Sequence, residues 1–324
     1  MRQIHLTARP DGVPTSELFA FVDTPDLTPP PGAALVENLW LSVDPYMREM
    51  MDAGSELNAP LEGRALGRVL SSHTPEYTAG DVVFHRGGWR THALVRPQDS
   101  RLIEPVDGVP LSAHLGILGG TGLSAYVGLR RVLDLQPGET LFVSAAAGGV
   151  GTAAARIAKL LGAGRVIGST GSGRKAKHLV DTVGYDVAIN YRNGSLTEQL
   201  AAAAPDGIDA YLDNVGGDHL SAAIDVLKQN GRIAWCGAVS TYNHQASAAP
   251  GNLFDIVEKE LRLEGFLVSN NLDLRPELID FLTPHLQFGA VQSDQTVVDG
   301  FEHTVEAFLA MLRGENLGKM LVRL

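Results

Sequence analysis

The sequence is poor in cysteine and in long apolar runs. Its 324 residues contain one cysteine, Cys236, which excludes an internal disulfide and a cysteine-rich zinc lobe. No apolar run reaches the ~18 residues that a membrane span needs, and charged residues, Gly and Pro interrupt the first twenty residues throughout. We therefore expect a cytoplasmic protein without a signal segment and without a membrane partner.

Positive charge and metal ligands are also scarce. Lys and Arg total 26 against 37 Asp and Glu, so the formal net charge is −11 and the broad cationic surface that binds nucleic acid is missing. The ten histidines include no H-E-x-x-H motif and no pair at helical ligand spacing. We expect neither nucleic acid nor a metal ion as a partner.

The residue pattern changes twice along the chain. Residues 1–117 are rich in Pro and Gly and contain short alternating stretches such as AALVENLWLSV, which predict a mostly β domain. Residues 118–285 alternate short apolar runs with helical periods, which predicts a doubly wound parallel sheet of the α/β class. Residues 286–324 contain a predicted helix and a last strand, KMLVRL, that could return to the first domain.

A glycine-rich turn opens the second part. The predicted strand Leu141–Ala145 runs into the pattern A-x-G-x-x-G and then into a helix with Ile157, Ala158 and Leu161 as its apolar stripe. Small residues allow a pyrophosphate to approach the backbone N–H groups at the helix start, and allow the helix to pack on the strand. A tight strand-to-helix turn without a ligand is the alternative. The candidate cofactor-binding residues of this turn are Ala146, Gly148, Gly149, Val150 and Gly151.

The residue types after the second predicted strand favour NADP over NAD. The acid that accepts the ribose hydroxyls of NAD is expected about twenty residues past the turn, where this chain has Gly168, Ser169 and Thr170. The following cations Arg174, Lys175 and Lys177 suit a ribose 2'-phosphate. The alternative is that they coat a solvated helix start, where cations are poor partners for the positive helix end.

Six motifs together resemble one family. They are LSVDPYMREMM (41–51), LGGTGLSAYVGL (118–129), AAAGGVG (145–151), DNVGGDHL (213–220), GRIAWCGAVSTYN (231–243) and NLGKMLVRL (316–324). This chain resembles the zinc-independent prostaglandin reductase and alkenal double-bond reductase branch of the medium-chain dehydrogenase/reductase superfamily. The resemblance implies a GroES-like catalytic domain from both chain ends, a Rossmann domain between them, NADPH as reductant, a cleft at the domain junction, and dimers in many members.

The resemblance also assigns cofactor contacts. Lys175 and Tyr191 match the positions that hold the 2'-phosphate, with Ser172 beside them, and the acidic pair often found before the lysine is replaced by Gly173 and Arg174, which should strengthen phosphate binding. The other matches are Thr121 near the nicotinamide amide, Asn214 at the carboxyl edge of the sheet, Cys236 and Gly237 after the next strand, Phe266 and Val268 on the nicotinamide side, and Asn316 late in the chain. Their alternatives are a turn asparagine for Asn214, a small buried hydrophobe for Cys236, and ordinary core for the apolar pair.

Two tyrosines are the candidate catalytic residues. Tyr46 follows Asp44 and Pro45, which could instead cap and start a helix, and Tyr242 follows a predicted sheet strand and could instead pack for its ring alone. The resemblance places both in the substrate cleft, with Tyr242 near the nicotinamide ribose. Where zinc-dependent relatives have ligating Cys and Gly-His-Glu, this chain has LEGRALG at 61–67, so the expected chemistry uses no metal.

Three functions are compatible with these observations. The first is NADPH-dependent reduction of the carbon-carbon double bond of enals and enones, with hydride delivered to the β-carbon while the ribose hydroxyl and Tyr242 stabilise the enolate oxygen. The second is an NADPH quinone oxidoreductase on the same fold, and the third is an NADPH-binding protein without turnover. The VDPYM and STYN motifs favour the first over the second.

Overall fold

The computed structural model describes residues 1–243 and 249–324. It contains two compact units. The first comprises Met1–Leu115, Gln295–Asn316 and Met320–Leu324, and the second comprises Gly116–Asp294 and Leu317–Lys319. The sequence-based boundaries, after residues 117 and 285, stay predictions.

The strands and helices of the described residues are numbered in chain order. The strands are β1 (Arg2–Leu6), β2 (Phe19–Asp23), β3 (Ala34–Ser42), β4 (Ala65–Ser72), β5 (Val82–His85), β6 (His92–Val95), β7 (Arg101–Leu102), β8 (Thr140–Val143), β9 (Arg165–Thr170), β10 (Val187–Asn190), β11 (Ile208–Asp213), β12 (Leu227–Trp235), β13 (Arg262–Gly265), β14 (Gln295–Asp299) and β15 (Lys319–Arg323). The α-helices are α1 (Tyr46–Met50), α2 (Gly120–Val127), α3 (Gly149–Leu160), α4 (Gly173–His178), α5 (Leu196–Ala203), α6 (Gly217–Val226), α7 (Asp255–Glu258), α8 (Arg275–Gln287) and α9 (Thr304–Leu312).

The first unit is mostly β. Its seven-stranded sheet has the order β14-β15-β3-β4-β5-β7, with β6 also paired to β3, and β1 pairs with β2 separately. The last strand of the chain runs antiparallel to β3, with Leu321 opposite Ser42. A core that includes the fully buried Trp89 and Phe308 packs between the strands and α9. The prediction of a mostly β first part is confirmed.

The second unit is a doubly wound α/β domain, as predicted. Its six strands are ordered β10-β9-β8-β11-β12-β13, and every neighbouring pair is parallel. The central strands read as continuous apolar runs because both of their faces are covered. In an open parallel sheet, ligands bind outside the carboxyl ends of the strands. Among the helices of the described ranges, none is long and apolar enough to cross a membrane.

Candidate active site

The glycine-rich turn joins β8 to α3. We predicted that the first strand ends at Ala145, but β8 ends at Val143 because Ala145 takes the left-handed conformation, with φ of 48°. Helix α3 then begins at Gly149, with Gly148 in an extended conformation before it. The chain therefore reverses sharply just before the helix start, as the motif requires.

The glycines of this turn serve different purposes. A Cβ atom on Gly151 would lie 2.4 Å from the carbonyl oxygen of Ala146, so this glycine is required by helix-strand packing. A Cβ on Gly148 would meet nothing closer than the carbonyl oxygen of Ala145 at 3.3 Å. Gly148 is therefore less restricted by packing than Gly151, with one tight contact, and its small size suits the close approach of a pyrophosphate.

Ala146 replaces the first glycine of the general pattern, and Gly168 provides the room for it. A Cβ on Gly168 of β9 would lie 2.7 Å from the Ala146 methyl group. The close contact thus requires small residues at both Ala146 and Gly168. Val150 follows Gly149 in the first turn of α3.

The apolar face of α3 differs slightly from the prediction. Ile157 and Ala158 are fully buried, and Ala154 and Ala155 are buried beside them. Leu161 is not part of the stripe, because it lies after the last helical residue and is half-buried. Thr121 of α2 packs against the turn, since a Cβ on Gly149 would lie 3.1 Å from its methyl group.

A group of cations follows β9. Lys175 is half-buried on α4, and burial, then Arg174 and then Arg192, lower the pKa of its ammonium group. Ser172 caps α4, because its hydroxyl oxygen accepts a hydrogen bond from the Lys175 backbone N–H at 3.3 Å. Lys177, which we predicted as part of the same group, instead pairs with Asp181 on the next turn.

Arg192 is a site residue that the sequence analysis missed. It lies in the short helical turn after β10, directly after Tyr191. A Cβ on Gly171 would lie 2.7 Å from the Tyr191 hydroxyl and 3.4 Å from Arg192 Nε, so both side chains reach the segment that precedes Ser172. The available signal was its position beside Tyr191, but nothing in the sequence placed this turn against α4.

The three cations repel one another without an anionic partner. Within residues 1–243 and 249–324, no carboxylate lies within 4.0 Å of Arg174, Lys175 or Arg192 to form an ion pair. Tyr191 packs edge-on against His219 of α6, with ring centroids 5.1 Å apart. Because clustered cations are unfavourable unless an anion binds between them, this group fits a phosphate monoester.

Buried polar groups organise the carboxyl ends of β8 and β11. Asp213 is fully buried and accepts hydrogen bonds from the Tyr211 hydroxyl at 2.7 Å and from the Val215 and Gly216 N–H groups at 2.8 Å. Burial raises the pKa of its carboxyl group, and these hydrogen bonds partly oppose that shift. Asn214 donates from its amide to the carbonyl oxygen of Ser144 at 2.8 Å. This supports a turn-holding role for Asn214, and Asp213 and Ser144 are structural contributors that the sequence analysis missed.

The segment after β12 brings three predicted residues together. Cys236 donates its N–H to the carbonyl oxygen of Asp213 at 2.8 Å, and burial, then the Asp213 charge, raise the pKa of its thiol to about 12. The thiol is therefore protonated at neutral pH and is not a nucleophile. A Cβ on Gly237 would lie 3.3 Å from the Tyr242 hydroxyl, so this hydroxyl lies next to the carboxyl end of β12.

The remaining predicted residues are distributed over both units. Phe266 and Val268 follow the edge strand β13, and the Phe266 ring lies 3.4 Å from the Cβ position of Gly128. Asn316 is buried but belongs to the first unit, as does Tyr46. Helix α1 begins directly after Pro45, and the backbone carbonyl oxygen of Asp44 accepts from the Met47 N–H at 3.1 Å. The Asp44 side chain has two partners. Its carboxylate accepts from the Ser42 hydroxyl at 2.5 Å and pairs with Arg64 at 3.4 Å.

Two family models match the chain. The model described as the N-terminal domain of oxidoreductase matches residues 2–103, and the one described as zinc-binding dehydrogenase matches residues 149–283. In the part of the chain that the structure describes, no three His, Cys, Asp or Glu side chains converge to hold a metal ion. We therefore derive no step through a metal.

Relatives and solved structures cover nearly the whole chain. Bovine prostaglandin reductase 1 is 41% identical over 319 residues, covering 96% of this chain and 95% of the relative, and 2-alkenal reductase (NADP(+)-dependent) of Nicotiana tabacum is 38% identical over 296 residues, covering 89% and 86%. The crystal structure of CurA from Vibrio vulnificus in complex with NADPH is similar with a TM-score of 0.93 at 32% identity, covering 100% of this chain and 99% of CurA. The chain therefore belongs to the medium-chain dehydrogenase/reductase superfamily, in its branch of NADP-dependent double-bond reductases.

Proposed function

We propose that the protein uses NADPH to reduce the carbon-carbon double bond of α,β-unsaturated aldehydes and ketones. The observation that carries this proposal is the group of Arg174, Lys175 and Arg192, which has no ion-pair partner in the described residues and suits the phosphate that distinguishes NADPH from NADH. The names of the relatives, prostaglandin reductase and 2-alkenal reductase, support the substrate class.

The residues present fit the cofactor. The N–H groups at the start of α3, next to the small Gly148, would receive the pyrophosphate. The 2'-phosphate would be received by Lys175, Arg174, Arg192 and Tyr191. The bound cofactor supplies a hydride to the β-carbon of the substrate, which places negative charge on the carbonyl oxygen as an enolate. The chain's own task is to stabilise that charge and to hold the substrate.

Tyr242 is the proposed donor to the enolate oxygen. Its hydroxyl lies beside Gly237 at the carboxyl edge of the sheet, where ligands of this fold bind. A preorganised hydroxyl that donates to developing negative charge acts as one half of an oxyanion hole. Tyr46, in the first unit, is the proposed second contact of the substrate. We also propose that the protein is cytoplasmic, as its composition predicts.

The decisive experiment follows a deuterium label. With NADPH deuterated at the transferred position, the label should appear on the β-carbon of a saturated ketone. A label on a carbinol carbon with the double bond intact would show a carbonyl reductase instead. Specificity constants across enals, enones and quinones then separate the enone reductase from a quinone oxidoreductase, and tight NADPH binding without turnover would identify a non-catalytic binding protein.

We also propose that two copies associate along β13. This strand ends the six-stranded sheet, and no strand of the described residues pairs with its outer edge. Three apolar side chains near it in the sequence, Phe254, Val257 and Leu267, are each about two-thirds exposed. Exposed apolar residues next to a free strand edge favour pairing with another chain. Analytical ultracentrifugation should give a dimer that Leu267→Lys weakens, and a wild-type monomer at micromolar concentration would disprove it.

A further inference from the structure

A cation lies against the candidate tyrosine of the first unit. The guanidinium carbon of Arg64 lies 5.1 Å from the centroid of the Tyr46 ring, within the range of a cation–π contact. The same guanidinium pairs with Asp44 at 3.4 Å, and the Ser42 hydroxyl holds that carboxylate from the other side at 2.5 Å. Arg64 is therefore fixed from two directions, with its side chain 17% exposed.

The Tyr46 hydroxyl itself lacks a partner. It is buried and makes no hydrogen bond to any residue that the structure describes. A buried hydroxyl without a partner destabilises the folded protein, and a hydrogen-bond acceptor from outside the chain would remove that cost. The residues around Tyr46 form a concave pocket. Its lining combines the apolar side chains of Met47, Met50, Pro60 and Leu61 with the polar ones of Ser55, Glu56 and Glu62, so it can hold a ligand that has both apolar and polar parts.

The charged groups around the Tyr46 ring shift the pKa of its hydroxyl in opposite directions. Burial, then the charge of Asp44, raises the pKa of Tyr46 to about 12, and Glu62 acts in the same direction. Arg64 and Arg86 lower the pKa. The hydroxyl thus stays protonated at neutral pH and can donate, and Arg64 is the cation stacked on its ring.

We propose that Arg64 is a positioning residue that holds Tyr46 for donation of a hydrogen bond to an oxygen of the bound enone. The inference rests on the proposed function, because that function supplies the substrate oxygen. The guanidinium fixes the ring through the stacked contact. Its positive charge also stabilises the negative charge that builds up on the Tyr46 hydroxyl oxygen while this hydroxyl donates to the increasingly negative substrate oxygen. Arg64 does not itself contact the substrate in this account.

The test is a double-mutant cycle between Arg64 and Tyr46. Arg64→Met should lower kcat/KM for an enone about 10-fold in the wild-type background, within the ~2- to 30-fold that a cation–π contact supports, but less than about 2-fold in the Tyr46→Phe background. Arg64→Lys keeps the charge and should recover part of the loss. Equal losses in both backgrounds, or no loss in either, would overturn the inference. Arg68→Met removes an exposed arginine of β4, the strand that begins directly after Arg64, and serves as the matched control.

Two further measurements cover the cases in which a variant does not fold or the wild-type protein shows no turnover. Arg64→Met leaves the Asp44 carboxylate buried without this partner, so the double variant Arg64→Met/Asp44→Asn is prepared in both backgrounds in case the single variant does not fold. Failure of the proposed function would show as a wild-type protein that oxidises no NADPH with any enone. In that case calorimetric binding of a saturated ketone replaces turnover as the readout of the cycle, and additive losses of affinity would refute the role of Arg64.

Discussion

Lys175 should determine the choice between NADPH and NADH. Lys175→Met removes the half-buried cation of the three-cation group and keeps most of the side-chain volume. A hydrogen bond between charged groups contributes about 1.5–3 kcal/mol, which corresponds to a loss of roughly 10- to 150-fold in kcat/KM for NADPH. NADH lacks the 2'-phosphate, so its use should be unchanged. The wild-type protein should prefer NADPH by at least about tenfold, or about 1.4 kcal/mol.

The neighbouring cations should affect the choice of cofactor less than Lys175 does. Arg192 is exposed, and exposed ion pairs contribute about 0.2–1 kcal/mol, so Arg192→Met should lose only up to about 5-fold with NADPH. Lys177 pairs with Asp181 instead, so Lys177→Met is the matched control and should have no effect on cofactor choice.

Binding and stability provide readouts that do not depend on turnover. Calorimetry with adenosine 2'-monophosphate should show the same order of losses, with Lys175→Met the largest. Because the folded state lowers the pKa of Lys175, its charge costs stability before a phosphate binds, and Lys175→Met should not lower the melting temperature of the free protein. Equal use of both cofactors by the wild type, or equal losses for NADPH and NADH in Lys175→Met, would refute the assignment.

Four other predictions follow from particular contacts. Tyr242→Phe should lower turnover about 10- to 100-fold with little change in NADPH affinity, because the ribose hydroxyl would still donate a hydrogen bond to the same substrate oxygen. A loss confined to KM would contradict a role in the transition state. The rate should be insensitive to a chelator, and an apoenzyme restored by zinc would argue against metal-free chemistry. Asp294→Asn should lower the free energy of unfolding, measured by urea denaturation, by about 3 kcal/mol, since Asp294 and Arg156 are a buried pair at 2.8 Å. Asp273→Asn in the exposed pair with Arg131 is the control and should have a much smaller effect. Burial lowers the pKa of His85 to about 3, so the unfolded chain takes up the proton more readily, and stability should fall as pH decreases from about 6.5 towards 3; His85→Gln should flatten that part of the pH profile.

Sequence patterns were sufficient to predict features whose residues lie within one strand-turn-helix unit. The turn from Ala146 to Gly151, the missing acid after β9 and the cation Lys175 all lie within about thirty residues, and each follows from what one backbone segment must do to receive a phosphate. The alternation of apolar runs likewise predicted the parallel sheet, because strand burial leaves its period in the sequence. Errors there were small, such as Leu161 and the end of β8, because backbone conformation at single residues has little sequence signal.

The sequence by itself therefore determined the fold class and the preference for NADP, since both depend on residue types at short spacing, and it predicted the nucleotide-binding residues. Only the tertiary structure decided which distant side chains meet. It set Arg192 against Gly171, turned Lys177 towards Asp181, and stacked Arg64 on Tyr46 eighteen residues away in the chain. It also decided that packing restricts Gly151 more strongly than Gly148. The physical reason is that such contacts depend on how separate elements pack, and the spacing of residues within any one element carries no record of that packing.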